Sequence, residues 1–127
     1  MSYYLMVFDK TIRSRSDFMK WYEEQVEWNE DHDYQSIGVT STNLKKWFME
    51  MKDTFPPMNG EFSPDEDLES HLTDYCIGHE LIYLAFAWSV ADEAYDLVRK
   101  LAKKYGVGFF DVSNDGDIIL PSGEDLK

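Results

Sequence analysis

Residues 81–88 have the sequence LIYLAFAW, which is the longest apolar run in the chain. Side chains alternate between the two faces of a β-strand, and in this run both alternating sets are apolar. A strand of this kind is typical of the interior of a sheet whose two faces are covered. The segment Gly78–His79–Glu80 precedes the run and predicts a turn from an earlier strand that begins at Asp74. We therefore predict two paired strands, the second of them central in a sheet.

A helix is predicted directly after these strands. Ser89 can cap its first turn, with Asp92 at the capping-box position, and Gly106 can end it. The apolar residues between them recur at helical spacing and define an inward face: Val90, Ala94, Leu97, Val98, Leu101, Ala102 and Tyr105. Acidic residues lie near the start of this helix and basic residues near its end, an order that complements the helix dipole. We therefore exclude these acids from any predicted binding patch.

Two further helices are predicted before the hairpin. The first follows Ser16, which can cap it, and contains Phe18, Trp21 and Tyr22 at helical spacing. The second has a continuous apolar face: Leu44, Trp47, Phe48, Met51 and Phe55. It ends at Pro56–Pro57, because proline has no backbone N–H and disfavours helical geometry in the residue before it.

Short strands at both ends of the chain complete the predicted fold. Residues 3–8 form an apolar run, and residues 107–112 and 118–120 flank the turn signal Asn114–Asp115–Gly116. The order is β-α-α-β-β-α-β-β, and without the second helix and the last strand it is the ferredoxin-like βαββαβ pattern. We predict a single α+β domain over residues 1–127. It has an antiparallel or mixed sheet with helices packed on one face, a ferredoxin-like βαββαβ core, an extra helix and a C-terminal hairpin strand.

Composition limits the classes of function. The 127 residues include 12 basic and 25 acidic side chains, and the net charge of −13 opposes binding to nucleic acid. The N-terminus lacks the features of a signal peptide, and no apolar run approaches the roughly 20 residues of a membrane span. Cys76 is the only cysteine, which fits a reducing compartment and a small core residue. We expect a cytoplasmic protein that binds neither nucleic acid nor membranes.

The acidic residues are concentrated in two stretches without lysine or arginine, residues 21–44 and 53–98. The second stretch contains a proline-bounded, acidic segment whose charges could face a basic partner. We predict that a partner contacts this segment through seven residues: Phe55, Met58, Glu61, Asp65, Glu66, Asp67 and Glu69. Two simpler interpretations stay open. The acidic loop could be a solvated surface, and Phe55 and Met58 could cap the core from a rigid loop.

No catalytic residue, cofactor or metal site is predicted. His32, His71 and His79 lie far apart in the sequence, and no Cys-x-x-Cys or His-x-x-x-His grouping occurs. Motifs for a nucleophile elbow or a phosphate-binding loop are absent from the sequence. Residues 111–118 match the start of a calcium loop, but position 12 of that loop is Ser122 instead of glutamate. We therefore predict a hairpin turn at these residues.

Four segments resemble those of a group of small, acidic, uncharacterised bacterial cytoplasmic proteins: FPPMNG (55–60), DYCIG (74–78), IYLAFAWS (82–89) and VGFFDVS (107–113). In size and charge the chain is also similar to immunity-type proteins found beside secreted toxins. That resemblance implies a protein that neutralises a toxin by binding it, with an acidic surface against a basic one. It implies no residues with a catalytic or ligand-binding role.

The leading hypothesis is a non-enzymatic acidic protein that binds a basic protein partner. The alternative is a small-molecule binder or enzyme with an aromatic-lined pocket between the sheet and the helices. A third interpretation is a homodimer formed through sheet edges or exposed aromatic side chains. A cavity with convergent polar groups would favour the alternative over the leading hypothesis.

Overall fold

A sheet of five antiparallel strands forms the centre of the protein. The computed structural model describes residues 2–12, 14–25, 27, 37–57, 72–113 and 118–126. The strands are β1 (Ser2–Phe8), β2 (Asp74–Ile77), β3 (Leu81–Ala87), β4 (Gly108–Phe110) and β5 (Ile118–Ile119). The helices are α1 (Arg15–Gln25), α2 (Thr42–Thr54) and α3 (Ala91–Tyr105), with short 3-10 turns at Ile37–Val39 and Trp88–Val90.

The order of the strands in the sheet is β2-β3-β1-β4-β5. β1 lies in the middle because it pairs with β3 on one side and with β4 on the other, so that Leu5 is opposite Leu84 and Val7 is opposite Phe109. The first four strands of this order, with helices between β1 and β2 and between β3 and β4, make the ferredoxin-like βαββαβ pattern. The predicted α+β class, the antiparallel sheet and the additional hairpin strand are confirmed.

The two faces of the sheet have separate apolar cores. Leu5 and Val7 of β1 lie in the core that the sheet forms with α2 and α3. Phe8 lies in the other core, where it packs against Phe18 and Trp21 of α1 with ring centroids 5.0 and 5.9 Å apart. All five side chains are buried, and the sheet is therefore covered on both faces near this end of β1.

The sequence predicted helices packed on one face of the sheet, but the helices lie on both faces. Only α2 and α3 share a face of the sheet, where they pack against each other, and α1 covers the opposite face. The extra helix of the fold is thus α1 and not the second helix. The reason lies in β1, where consecutive residues such as Val7 and Phe8 are both apolar, so that one layer of helices cannot bury both.

Ser41 caps α2 and ties it to the sheet. Its hydroxyl oxygen accepts a hydrogen bond from the backbone N–H of Leu44 at 3.3 Å, as an N-cap side chain should. The same hydroxyl donates to Oδ2 of Asp9, just beyond β1, at 2.6 Å. One side chain therefore satisfies a helix terminus and joins it to the end of the central strand.

The other two helices begin differently from the prediction. In α1 the cap is Ser14 and not Ser16, since the Ser14 hydroxyl accepts the N–H of Asp17 at 3.1 Å. Ser89 does not cap α3, because it lies inside a 3-10 turn and the helix begins at Ala91 without a side-chain cap. The 3-10 turn follows β3 directly and occupies the positions where the cap was expected.

β5 has two residues, and the chain after it turns back along its outer edge. Gly123 allows this turn with a φ of 94°, and its N–H donates to the carbonyl of Leu120 at 2.7 Å. The backbone N–H of Leu126 then donates to the carbonyl of Ile118 at 2.8 Å. Residues 120–123 are consequently held beside the sheet, on the side where it extends past the helices.

Candidate functional site

Six of the seven predicted partner-binding residues lie outside the described part of the chain: Met58, Glu61, Asp65, Glu66, Asp67 and Glu69. Their role stays a prediction. The described residues on either side of this segment are close together. Pro57 and Thr73 form a parallel β-bridge, and the Thr73 N–H donates a hydrogen bond to the carbonyl oxygen of Pro56 at 2.9 Å. The described residues that flank the acidic segment are thus held next to each other.

Phe55, the seventh residue, is in the core that α2 and α3 form with the sheet. Its side chain is 0% exposed, and its ring meets that of Phe86 edge-on at 5.1 Å between centroids. Its carbonyl accepts a hydrogen bond from the Tyr75 hydroxyl at 2.7 Å. This placement matches the interpretation in which Phe55 caps the core, and it leaves no ring surface for a partner.

Two acidic residues at the end of α1 are unfavourably placed for the helix. Glu23 and Glu24 are exposed and lie in its C-terminal turn, which has no basic residue. The C-terminal end of a helix is the negative end of its dipole, so each carboxylate there lowers stability. At the other end, Arg15 occupies the first position, where a base is also unfavourable.

In α3 the charges follow the opposite order. Asp92 and Glu93 occupy the first turn, and Lys103 and Lys104 occupy the last. Lys104 also donates to Oε1 of Glu50 on α2 at 2.6 Å. Hydrogen bonds from Lys104 and then from the Tyr105 hydroxyl lower the pKa of Glu50. The charges in the first and last turns of α3 thus suit its helix dipole, whereas Glu23 and Glu24 oppose the dipole of α1.

A groove of about 510 Å³ lies between α3 and the edge of the sheet formed by β4 and β5. Its apolar lining comes from buried or partly buried residues of both: Ala102, Val107, Phe109, Ile119, Leu120 and Pro121. Its charged lining comes from exposed residues of α3: Asp96, Arg99, Lys100 and Lys103. Ligand pockets have volumes of roughly 300–1,000 Å³, so the groove is large enough for a small molecule.

The fifth strand is the reason for the groove. α3 lies over β1 and β4, and α2 lies beside it on the same face. β5 extends the sheet beyond this helix layer, so that Ile119 on its helix-facing side is only partly buried. The turn at residues 120–123 forms the far wall. The groove is therefore a direct result of adding a strand to a sheet that two helices cover.

Cys76 and Tyr83 are opposite each other on β2 and β3, on the face of the sheet that α1 shares. Burial and, to a lesser extent, the Asp74 carboxylate raise the pKa of the Cys76 thiol to about 11. Burial and the neighbouring Tyr22 hydroxyl raise the pKa of Tyr83. Both side chains are therefore protonated at neutral pH, which does not suit a nucleophile or a general base.

The structure shows little else that resembles a reactive site. Among the described residues, no three His, Cys, Asp or Glu side chains are grouped as metal ligands would be, and no helix could cross a bilayer. Phe110 and Ile118 pair across the predicted hairpin, whose tip at residues 114–117 lies outside the description. His79 is at the predicted turn between β2 and β3, where its Nδ1 is 2.9 Å from the carbonyl oxygen of Val39.

Comparison with known proteins identifies no relative. The sequence matches no protein family and no curated protein, and the fold matches no solved structure. The assignment of function consequently depends on the residues and geometry of this chain alone.

The alternative hypothesis predicted an aromatic-lined pocket between the sheet and the helices, but none of the residues that line the groove was identified from the sequence. Its bases were attributed to the dipole of α3, which is a sufficient reason only for Lys103 in the last turn. Arg99 and Lys100 lie one turn earlier. Their position before the last turn was the one sequence feature that could have indicated a binding site. It can be interpreted only with the knowledge that β5 lies beside them.

Proposed function

We propose that the protein is a non-enzymatic binding protein of the cytoplasm whose acidic surface engages a basic protein partner. The observation that carries the proposal is the position of Glu23 and Glu24 in the last turn of α1. Carboxylates there oppose the helix dipole, and both side chains are exposed at the surface. A cost in stability that the fold does not need is typical of residues kept for binding.

The acidic loop is the second part of the proposed surface. Glu61, Asp65, Glu66, Asp67 and Glu69 would add to the negative field of α1, and a field of one sign accelerates encounter with a cationic partner. The resemblance to immunity-type proteins makes a secreted toxin the expected partner. Phe55 is not included, because it is buried.

Co-purification from the native cell tests the proposal. We expect a basic protein to be retained by the tagged chain and released at about 0.5 M NaCl, since exposed charge pairs are screened at that ionic strength. Glu23→Gln/Glu24→Gln should weaken retention, and so should Asp65→Asn/Glu66→Gln/Asp67→Asn in the loop.

The matched control is Glu124→Gln/Asp125→Asn. These two exposed carboxylates lie beyond β5, and their neutralisation changes the net charge by the same amount as the α1 double variant. Retention that is insensitive to salt, or that falls equally in the control and the α1 variant, would contradict a specific acidic surface. Recovery of no basic protein would contradict the proposal as a whole.

A further inference from the structure

The groove beside α3 gathers positive charge on a molecule whose net charge is −13. Arg99, Lys100 and Lys103 line it, and among the described residues of its lining Asp96 alone is acidic. The local excess is therefore positive, whereas the chain as a whole has about two acidic side chains for each basic one. An anion that enters the groove would therefore meet a local excess of positive charge.

These three cations form no ion pair in the described part of the structure, unlike Lys10 and Lys104, which contact Glu80 and Glu50. Arg99 is nevertheless held in place, because it donates to the Tyr95 hydroxyl at 3.1 Å and lies 5.9 Å from the centre of that ring. A guanidinium whose partner is a neutral hydroxyl keeps its charge available for a ligand.

Tyr95 joins the charged rim of the groove to its apolar floor. Its ring packs edge-on against Phe109 of β4, with centroids 5.5 Å apart. Phe109 and Val107 form the floor, and Ile119 continues it onto β5. Stabilisation of the helix by its basic residues does not require an apolar floor beside them, so the dipole alone leaves this combination unexplained.

We propose that the groove binds a small amphipathic anion, with a carboxylate or phosphate head on Arg99 and Lys103 and an apolar body against Phe109 and Ile119. The volume of about 510 Å³ accommodates such a molecule. The charged groups would fix its orientation, and burial of its apolar part would supply most of the affinity. The site is independent of the acidic surface, because α1 covers the opposite face of the sheet.

The test uses the whole chain and matched pairs of probes. Octanoate and octyl phosphate supply the apolar body with two different anionic heads, octanol supplies the body without charge, and acetate supplies a head without a body. Binding is followed by the amide NMR shifts of the protein. We expect saturable shifts at Arg99, Lys103, Ile119 and Leu120 with either octyl anion, and at least tenfold weaker binding of octanol and acetate. The tighter of the two octyl anions identifies the head group.

Two double variants make the test specific. Arg99→Gln/Lys103→Gln should weaken binding of the octyl anion about tenfold, as expected for the loss of two partly exposed charge contacts. Lys45→Gln/Lys46→Gln removes the same charge from α2, outside the groove, and should leave the affinity unchanged. Equal binding of octanol and octanoate, equal losses in the two variants, or shifts confined to other surfaces would overturn the proposal. So would the absence of saturable binding.

Discussion

Gly108 lies where the fold leaves no space for a side chain. It is opposite Phe8 across β1 and β4, and a Cβ at this position would run into the Phe8 ring. Phe8 cannot move away easily, because it is fully buried among the rings of Phe18 and Trp21. The close approach of the two strands therefore depends on the absence of a side chain.

We expect Gly108→Ala to lower the free energy of unfolding by about 3 kcal/mol, because it overpacks a filled core. Gly106→Ala is the comparison. Gly106 has a φ of 67° but open space around its Cβ position, so that the expected loss is only about 1 kcal/mol. Urea denaturation measures both. In a Phe8→Leu background the Gly108→Ala change should cost less, and an undiminished cost there would show that the ring is not the cause.

Cys76 provides a prediction with a defined pH dependence. Its thiol pKa of about 11 is above the value of about 8.5 for an unstructured cysteine. The unfolded chain therefore loses this proton first as the pH rises, and the contribution of the neutral thiol to stability declines between about pH 8.5 and 11. In the folded state, alkylation by iodoacetamide at pH 8 should be about a hundredfold slower than for a free cysteine.

Asp74→Asn should increase the alkylation rate, because the Asp74 carboxylate contributes to the raised pKa. Asp53→Asn, an exposed change on α2, serves as the control and should have no effect. A rate profile with a midpoint near pH 8.5 in the folded protein would refute the raised pKa of this half-buried thiol.

At the level of the helix, the serines that precede α2 and α3 allow a direct comparison. Ser41→Ala should lower stability by about 1–2 kcal/mol, because it removes both the cap of α2 and the hydrogen bond to Asp9. Ser89→Ala should change stability by less than about 0.5 kcal/mol, since Ser89 is exposed and caps no helix. Thermal denaturation of the two variants checks the order, and equal losses would restore Ser89 as a cap.

The charges of α1 and α3 predict effects of opposite sign. Glu23→Gln/Glu24→Gln should raise stability by about 0.5 kcal/mol, because it removes two carboxylates from the negative end of the α1 dipole. Asp92→Asn/Glu93→Gln removes the same charge from the positive end of α3 and should lower stability by a similar amount. Denaturation at low ionic strength measures both, and a loss of stability in the α1 variant would remove the argument that its acids are kept for binding.

Most elements of this fold were predictable from local patterns, whereas their arrangement was not. The alternation in Leu81–Ala87 and the positive φ required at Gly106 belong to the local chain, and the strand and the helix end appear where expected. The side of the sheet that each helix covers depends on pairing between distant strands, such as Leu5 with Leu84. α1 was placed on the wrong face for this reason, since its apolar stripe fits either face.

The candidate sites show the same division at the scale of the whole molecule. The acidic stretches are visible in the sequence, because charge can be counted without a fold. The groove was not visible, since Arg99 and Ile119 meet only when the hairpin adds β5 beside α3. Residues that come from one helix and from a later part of the sheet have no characteristic separation in the sequence by which a shared groove could be recognised.

The excess of negative charge predicts a response of the whole molecule to salt. Self-repulsion among 25 acidic side chains destabilises the compact state, and added salt screens it. Raising NaCl from about 0.02 to 0.5 M should increase Tm by roughly 4 °C, equivalent to about 1 kcal/mol. The variant Glu23→Gln/Glu24→Gln/Glu124→Gln/Asp125→Asn should show a smaller increase. A Tm that falls with salt would mean that attractive ion pairs outweigh repulsion.

The central position of β1 has a consequence for how the chain folds during synthesis. β1 leaves the ribosome before either neighbouring strand has been synthesised. Leu5 therefore cannot pair with Leu84, nor Val7 with Phe109, until most of the chain has been made. Contacts between residues so distant in sequence make folding slow, and an apolar strand stays unpaired in the meantime. The nascent chain therefore presents its most apolar N-terminal segment to chaperones until nearly all of the domain has been made.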